Sequence, residues 1–195
     1  MNLEFYNILE ACRHYIVEYL VYASSSSIYG SNKKVPYSTD DKVDNPVSLY
    51  AATRKSNELM AHAYSKLYNI PSTGLRFFTV YGPAGRPDMA YFGFTNKLVN
   101  GDTIKIFNYG NCNPENLLDF VQILSEKLVR AGVLSEDYDF EAHKELVAMQ
   151  PGDLPVTYAD TSALERDFGF KPHTPLREGL RKFAEWYKKF YMKED

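Results

Sequence analysis

The sequence has few features that would indicate disulfides, a membrane span or secretion. Its two cysteines, Cys12 and Cys112, lie far apart and form no CxxC pair, so neither a disulfide framework nor a cysteine-based metal site is indicated. No stretch approaches the run of about eighteen apolar residues that marks a membrane span. The N-terminus also lacks a basic region followed by an apolar stretch. We therefore expect a cytoplasmic protein that is not attached to a membrane.

An excess of positive charge is also absent. The chain has 22 Lys and Arg against 25 Asp and Glu, for a net charge of -3, so it lacks the basic field that gathers nucleic-acid phosphates. The four histidines are scattered without ligand spacing, and we predict no metal site. A small soluble ligand fits this composition better than nucleic acid does.

The eleven glycines include no G-x-x-G-x-x-G cluster, which is the turn that receives the pyrophosphate of a dinucleotide. Aromatic residues, in contrast, are abundant. Sixteen Tyr, twelve Phe and one Trp make up 15% of the chain. We expect most of them to pack in a core and a few to line a ligand cleft.

The hydrophobic pattern predicts alternating helices and strands. The first half is predicted to contain a helix at 2–14, a strand at 18–23, a long helix at 48–68 and a strand at 72–80. This order favours the α/β class with a parallel sheet and crossover helices. Short elements are predicted at 92–99 and 103–107, helices at 113–131, from 161 and at 175–191, and a short strand near Thr157. A change in composition near Cys112 predicts two parts, 1–112 and 113–195.

Tyr50 and Arg54 stand four residues apart on the predicted long helix and therefore share one face. A fixed positive charge beside a tyrosine favours the phenolate form, which can accept a proton in catalysis. The same spacing also occurs in ordinary helices. The pair becomes a candidate site because a run of four serines, Ser24 to Ser27, ends the preceding strand. Such a run also serves as a plain turn that bonds its own backbone.

A strand ends in serines, a helix with Tyr50 follows, and the segment LRFFTVYGP at 75–83 comes after it. This order resembles the extended short-chain dehydrogenase/reductases, which include the NAD-dependent epimerase/dehydratase family. The resemblance implies that Ser25, or its rival Ser27, supplies a hydroxyl and that Tyr50 accepts the proton. Tyr50 and residue 54 would also contact NAD. The family has Lys where this chain has Arg54, and Lys55 points away from the Tyr50 face because each helical residue turns about 100°.

The segment TVYGPAGRPDMA at 79–90 resembles one branch most closely, the bacterial UDP-glucuronate 4-epimerases of polysaccharide biosynthesis. In that branch Thr79 and Arg86 would hold the sugar carboxylate, a task suited to the planar arginine fork. The resemblance implies a partial Rossmann-like parallel sheet with a small C-terminal α/β substrate-binding part. It also implies a UDP-sugar substrate and a homodimer formed through the Tyr50 helix. The relatives pass a hydride from C4 of the sugar to NAD, rotate the 4-keto sugar and return the hydride to its other face.

Compared with this family, the chain is expected to be truncated at the N-terminus and internally, between Cys112 and Asn113. We therefore expect the isolated chain neither to bind NAD well nor to turn over substrate. A non-catalytic UDP-sugar-binding or dimerisation remnant is the alternative. A dehydratase of the same fold is disfavoured, because Ser26 and Ser27 stand where that branch has Asp and Glu.

Overall fold

The computed structural model of the chain describes residues 2–107, 116–148 and 157–192. The chain forms two compact units. The first comprises Met1–Thr79 and Thr157–Ala163, and the second comprises Val80–Val156 and Leu164–Asp195. The boundary predicted at Cys112, like the predicted internal gap beside it, lies outside the described residues. No helix of the described part is long and apolar enough to cross a bilayer.

The first unit is built on a two-stranded parallel sheet. Strand β1 (Leu20–Ser25) pairs with β2 (Ser72–Phe77), from Leu20 opposite Ser72 to Ser25 opposite Phe77. Helix α1 (Asn2–Tyr15) precedes β1, and helix α2 (Leu49–Tyr68) connects the two strands. The predicted order of helix, strand, helix and strand is confirmed, and the α/β class with it.

Local chemistry explains both ends of α2. The Ser48 hydroxyl accepts a hydrogen bond from the Ala51 amide and so satisfies one of the free N–H groups of the first turn. At the other end Asn69 adopts the left-handed conformation, which asparagine tolerates at a helix C-terminus. Pro71 follows and cannot continue a helix. These signals explain why the sequence predicted this helix almost to the residue.

The second unit contains a second pair of parallel strands. Strand β3 (Ile104–Phe107) pairs with β4 (Lys144–Val147). Strand β4 was not predicted, because the segment KELV is short and half of it is charged. Around this pair lie α3 (Ala90–Val99), α4 (Leu117–Ala131) and α6 (Leu176–Tyr191). Helix α5 (Ser162–Phe168) precedes α6, and the N-terminus of α4 is capped by Asn116, whose side chain accepts from the Leu118 amide.

The core of the second unit lies where α3, α4 and α6 pack together. Helix α6 alternates apolar and charged residues with helical period, so one stripe turns inward and the other meets solvent. Its inward side is fully or almost fully buried, and the residues concerned are Leu176, Gly179, Leu180, Phe183, Ala184 and Tyr187. The predicted amphipathic helix is therefore confirmed, with its start at Leu176.

Near Thr157, where a short strand was predicted, the described residues begin only at 157 and form a bridge. Ala159 forms only an isolated parallel bridge with Tyr37, in which the Tyr37 amide donates to the Tyr158 carbonyl and the Asp160 amide to the Tyr37 carbonyl, both at 2.9 Å. Asp160 then caps the next helix, because its carboxylate accepts from the Ser162 amide at 2.9 Å. The chain therefore passes from the bridge directly into α5.

Ile16, which follows the last residue of α1, has a φ of 48°. This left-handed conformation costs an L-residue roughly 1–2 kcal/mol. Because the Ile16 side chain is 87% exposed, its burial offsets little of that cost. We expect Ile16→Gly to raise the free energy of unfolding by about 0.5–1 kcal/mol, measured by thermal unfolding. Tyr15→Gly, one residue earlier inside the helix, is the control and should lower it. A lower unfolding temperature for Ile16→Gly would contradict the expectation.

Candidate functional site

The serine run forms the junction between β1 and a short 3₁₀ helix. Ser25 caps this helix (Ser26–Tyr29), and its Oγ accepts hydrogen bonds from the Ser27 amide at 3.2 Å and the Ser27 hydroxyl at 3.0 Å. The two rival serines are therefore bonded to each other. Because a hydroxyl has one donor and two acceptor sites, Ser25 still has its proton to donate.

Tyr50 and Arg54 do lie together, as their spacing predicted. The guanidinium carbon of Arg54 is 5.1 Å from the centroid of the Tyr50 ring, which is close enough for a cation–π contact. Tyr50 is 41% exposed, so a ligand can reach its hydroxyl. In the described residues no hydrogen bond joins that hydroxyl to the serine run.

Arg54 also connects this face of α2 to the end of β1. One terminal nitrogen of its guanidinium donates to the Ala23 carbonyl at 3.2 Å, which places the arginine beside the residues that lead into the serine run. Its Nε is buried without a partner in the described part of the chain. The guanidinium is therefore held beside β1 by one hydrogen bond.

A second set of polar residues, Ser24, Glu58 and Arg76, lies on the same side of the sheet. The Ser24 hydroxyl donates to Glu58 at 2.7 Å, and Arg76 forms a bidentate pair with Glu58 at 3.1 Å for each bond. Sequence reasoning missed Glu58 and Arg76. Glu58 lies four residues after Arg54, and that spacing was the available signal.

Tyr22 packs under this network. Burial is the main cause that raises the pKa of Tyr22 from 10.0 to about 12, and the negative charge of Glu58 raises it further. The positive charge of Arg76 acts in the opposite direction and lowers it. A β-carbon at Gly74, its cross-strand partner, would lie 2.7 Å from the Tyr22 ring, so a larger residue there would require the ring to move. The Tyr22 phenol therefore remains protonated well above the pH at which a free tyrosine ionises.

This pKa predicts a loss of stability in alkali. Between pH 10 and 12 the unfolded chain releases the Tyr22 proton while the folded chain keeps it, so the free energy of unfolding falls as the pH rises through that window. We expect Tyr22→Phe to make the unfolding temperature less dependent on pH there. Tyr15→Phe, at an 84% exposed position, is the control and should leave the slope as it is. Equal slopes for wild type and Tyr22→Phe would contradict this prediction.

Thr79 and Arg86 are the two residues predicted to hold a carboxylate. Thr79 is exposed shortly after β2, and it belongs to the first unit. Arg86 belongs to the second unit, where its Nε donates to Asp88 at 2.8 Å while both side chains remain about two-thirds exposed, at 67% and 68%. The bond to Asp88 uses one edge of the guanidinium. Its Nη2 also lies 3.9 Å from the Met89 sulfur. Apart from Asp88, the guanidinium faces no carboxylate in the described residues, and an arginine fork can bind a carboxylate with two parallel bonds.

The loop that carries Arg86 is packed against the helices of its own unit. The Tyr81 ring lies over Gly179, where a β-carbon would be 2.5 Å from it, and its hydroxyl donates to the Thr174 carbonyl at 3.3 Å. A β-carbon at Gly85 would lie 2.0 Å from the hydroxyl oxygen of Tyr91. Because glycine has no side chain, Tyr81 can pack against Gly179 and Tyr91 against Gly85. These contacts hold the loop and limit the positions that Arg86 can take.

The residues present fit only part of an NAD molecule. Arg54, with its buried and unpartnered Nε, and the exposed Tyr50 could contact the nicotinamide end. No G-x-x-G-x-x-G turn exists in the sequence to receive the pyrophosphate. In the described ranges, no cluster of three His, Cys, Asp or Glu could hold a metal. The residues present thus fit the nicotinamide end of NAD and not its pyrophosphate.

Several known proteins resemble this chain. Protein CapI of Staphylococcus aureus is 42% identical over 97% of this chain and 69% of its own length. UDP-glucuronate 4-epimerase 4 of Arabidopsis thaliana is 38% identical over 96% of this chain, which spans about half (52%) of that relative. The crystal structure of UDP-glucuronic acid 4-epimerase from Bacillus cereus, in complex with UDP-glucuronic acid and NAD, superposes with a TM-score of 0.76 and 26% identity. That match covers 96% of this chain and 67% of the other.

The alignments also show that the relatives have additional residues within the matched region. The match to CapI extends over 239 positions, whereas 97% of 195 residues is about 189, so about 50 positions of CapI have no counterpart here. A family model described as the NAD dependent epimerase/dehydratase family matches residues 4–123, more than half of the chain. The sequence resemblance is thereby confirmed. The chain belongs to the NAD-dependent epimerase/dehydratase family, with UDP-glucuronate 4-epimerases among its relatives.

Proposed function

We propose that this chain carries the sugar-side residues of a nucleotide-sugar 4-epimerase that interconverts UDP-glucuronate and UDP-galacturonate. The observation that carries the proposal is the Tyr50–Arg54 contact at 5.1 Å, with Arg54 bonded to the strand that leads into the serine run. A tyrosine, a fixed cation and a nearby serine hydroxyl form a unit that can exchange a proton with a sugar hydroxyl.

In this proposal Tyr50 accepts the proton of the sugar 4-hydroxyl and later returns it. The charge of Arg54 stabilises the phenolate that forms. Ser25, or Ser27 through the bond between them, donates a hydrogen bond to the same sugar oxygen. NAD, when bound, supplies the oxidation at C4. The roles of Tyr50, Arg54, Ser25 and Ser27 are carried over from the resemblance. The ring contact between Tyr50 and Arg54 and the hydrogen bond between Ser25 and Ser27 support them.

Thr79 and Arg86 are proposed to bind the carboxylate that distinguishes UDP-glucuronate from neutral UDP-sugars. The exposure of the Arg86 guanidinium, whose side chain is 67% accessible, supports this role. So do the relatives, which include UDP-glucuronate 4-epimerase 4 of Arabidopsis thaliana and a protein of Rhizobium meliloti named probable UDP-glucuronate 4-epimerase. A place in polysaccharide biosynthesis and a cytoplasmic location remain predictions.

The isolated chain is proposed to bind NAD weakly and to lack turnover, because its glycines provide no pyrophosphate turn. The alternative function is a non-catalytic module that binds a UDP-sugar or dimerises. Helix α2 favours dimerisation through a second copy, since it presents an exposed apolar row, with Leu59 59% and Leu67 72% exposed. Sedimentation equilibrium of wild type and Leu59→Glu would measure this contact, which the substitution should break.

The test of the function uses the purified chain and three ligands. We expect calorimetric titration to show binding of UDP-glucuronate, weaker binding of UDP-glucose and no micromolar binding of NAD. Incubation with NAD and UDP-glucuronate should yield no UDP-galacturonate. Formation of UDP-galacturonate would overturn the proposed inactivity, whereas failure to bind any UDP-sugar would overturn the sugar site and leave the dimerisation alternative.

A further inference from the structure

Glu58 lies at the centre of a half-buried polar network that connects α2 to both strands of the first unit. The sheet register pairs Ser24 with Arg76, so their side chains lie next to each other on the face that α2 covers. Glu58 reaches both of them, accepting from the Ser24 hydroxyl at 2.7 Å and from two nitrogens of Arg76 at 3.1 Å each. One carboxylate therefore holds two strands and one helix together.

The network is well enclosed and its polar groups have partners. The side chains of Arg76 and Glu58 are only 18% and 13% exposed. A charge pair so far from solvent persists when its geometry is good and its remaining donors are bonded. The third guanidinium nitrogen of Arg76 donates to the Tyr29 hydroxyl at 3.1 Å, and this hydroxyl donates to the Ser38 carbonyl at 3.0 Å. The position of Glu58 is therefore fixed from several directions.

The network also lies directly beside the candidate site. Tyr50, Arg54 and Glu58 follow one another at four-residue intervals along one side of α2. Arg54 binds the Ala23 carbonyl, and Glu58 binds the hydroxyl of the next residue, Ser24. Two successive turns of the helix thus hold two successive residues of β1, and the residue after them is Ser25.

We propose that Glu58, itself held by Arg76, is a positioning residue that fixes the Tyr50 side of α2 against the serine run. The inference rests on the proposed role of Tyr50 and the serines in proton transfer. Both groups must lie within hydrogen-bonding distance of one sugar oxygen, about 3 Å. A misplacement of about 1 Å lowers such a rate on the order of 100-fold. Glu58 touches no reacting atom and acts through Ser24 and the helix.

The experiment follows the environment of Tyr50 without substrate or cofactor. The full chain is prepared with 3-fluorotyrosine at position 50, and its ¹⁹F resonance is compared among wild type, Ser24→Ala, Ser26→Ala and Glu58→Gln. Ser24→Ala removes only the hydroxyl that bonds Glu58 and leaves the Arg76 pair intact. Ser26→Ala is the matched control, because its hydroxyl makes no hydrogen bond in the described residues. We expect Ser24→Ala and Glu58→Gln to shift the resonance by more than its line width, and Ser26→Ala to leave it unchanged.

Thermal unfolding of the same variants distinguishes a change in the position of Tyr50 from a change in the stability of the chain. We expect Ser24→Ala to shift the resonance while the unfolding temperature stays near that of wild type. An unchanged resonance in Ser24→Ala and Glu58→Gln would overturn the proposal, whatever happens to the unfolding temperature. An equal shift in Ser26→Ala would overturn it too. Because no ligand is present, failure of the chain to bind UDP-glucuronate would overturn the proposed function and leave this result standing.

Discussion

Arg86→Gln is expected to weaken the binding of UDP-glucuronate roughly tenfold or more, while UDP-glucose binds about as before. Glutamine keeps a polar side chain but removes the charge, and hydrogen bonds to charged groups contribute about 1.5–3 kcal/mol. Because the side chain of Arg86 is 67% exposed, we expect the lower part of that range. The measurement is calorimetric titration of the chain with each UDP-sugar at low and physiological salt, since screening should reduce the difference.

The matched control is Arg166→Gln. Arg166 also pairs with a neighbouring aspartate, Asp167, at 2.7 Å, and its side chain is 72% exposed. The two substitutions therefore remove the same charge and a similar exposed ion pair, which contributes little to stability. An equal loss of affinity in both variants would mean that net charge, not Arg86, draws the ligand. An equal loss for both sugars in Arg86→Gln would contradict a role in carboxylate binding.

Phe183→Ala is expected to lower the free energy of unfolding of the second unit by about 3–5 kcal/mol. Phe183 is fully buried, and its ring meets the Tyr91 ring edge-on with 4.8 Å between centroids. It also contacts Phe92 and Trp186, with centroids 5.8 Å and 6.1 Å away. Alanine would leave a cavity that several large rings border and cannot easily fill. Because Trp186 is the only tryptophan, its fluorescence during urea unfolding reports this unit directly.

Phe190→Ala on the same helix provides the comparison. Phe190 is 57% exposed and packs mainly against Trp186, at 5.5 Å between centroids. Its loss should change the free energy of unfolding by about 0.5 kcal/mol, as is usual for surface positions. If the two variants unfolded at similar urea concentrations, α6 would not be docked on α3 through Phe183.

Helix α2 and strand β4 show why the fold was only partly predictable. For α2, Ser48, Asn69 and Pro71 mark the ends of a long amphipathic segment, so local signals and tertiary packing agree. For β4, the segment 144–147 has no local pattern that favours a strand. It becomes a strand because β3 offers it free backbone groups, with Ile104 opposite Lys144. Such pairing between distant segments leaves no trace in a short window of sequence.

The candidate site, like the fold, was only partly predictable from the sequence. Tyr50 and Arg54 were predictable because four-residue spacing on a helix fixes their proximity, and their ring contact confirms it. The partner of Arg54, the Ala23 carbonyl, was not predictable because backbone groups look alike in a sequence. Arg76 was hidden for another reason. Only the register of β1 and β2 places it beside Ser24 and under Glu58.

The sequence by itself determined the α/β class, the family, the tyrosine helix and the lack of a pyrophosphate turn, because each depends on residue types at short and fixed separations. The tertiary structure alone decided that Arg54 reaches β1 and that Glu58 joins helix and sheet. These contacts require the strands to pair in one register and the helix to pack over them. Tertiary packing sets both conditions, because no single segment of the chain contains both partners.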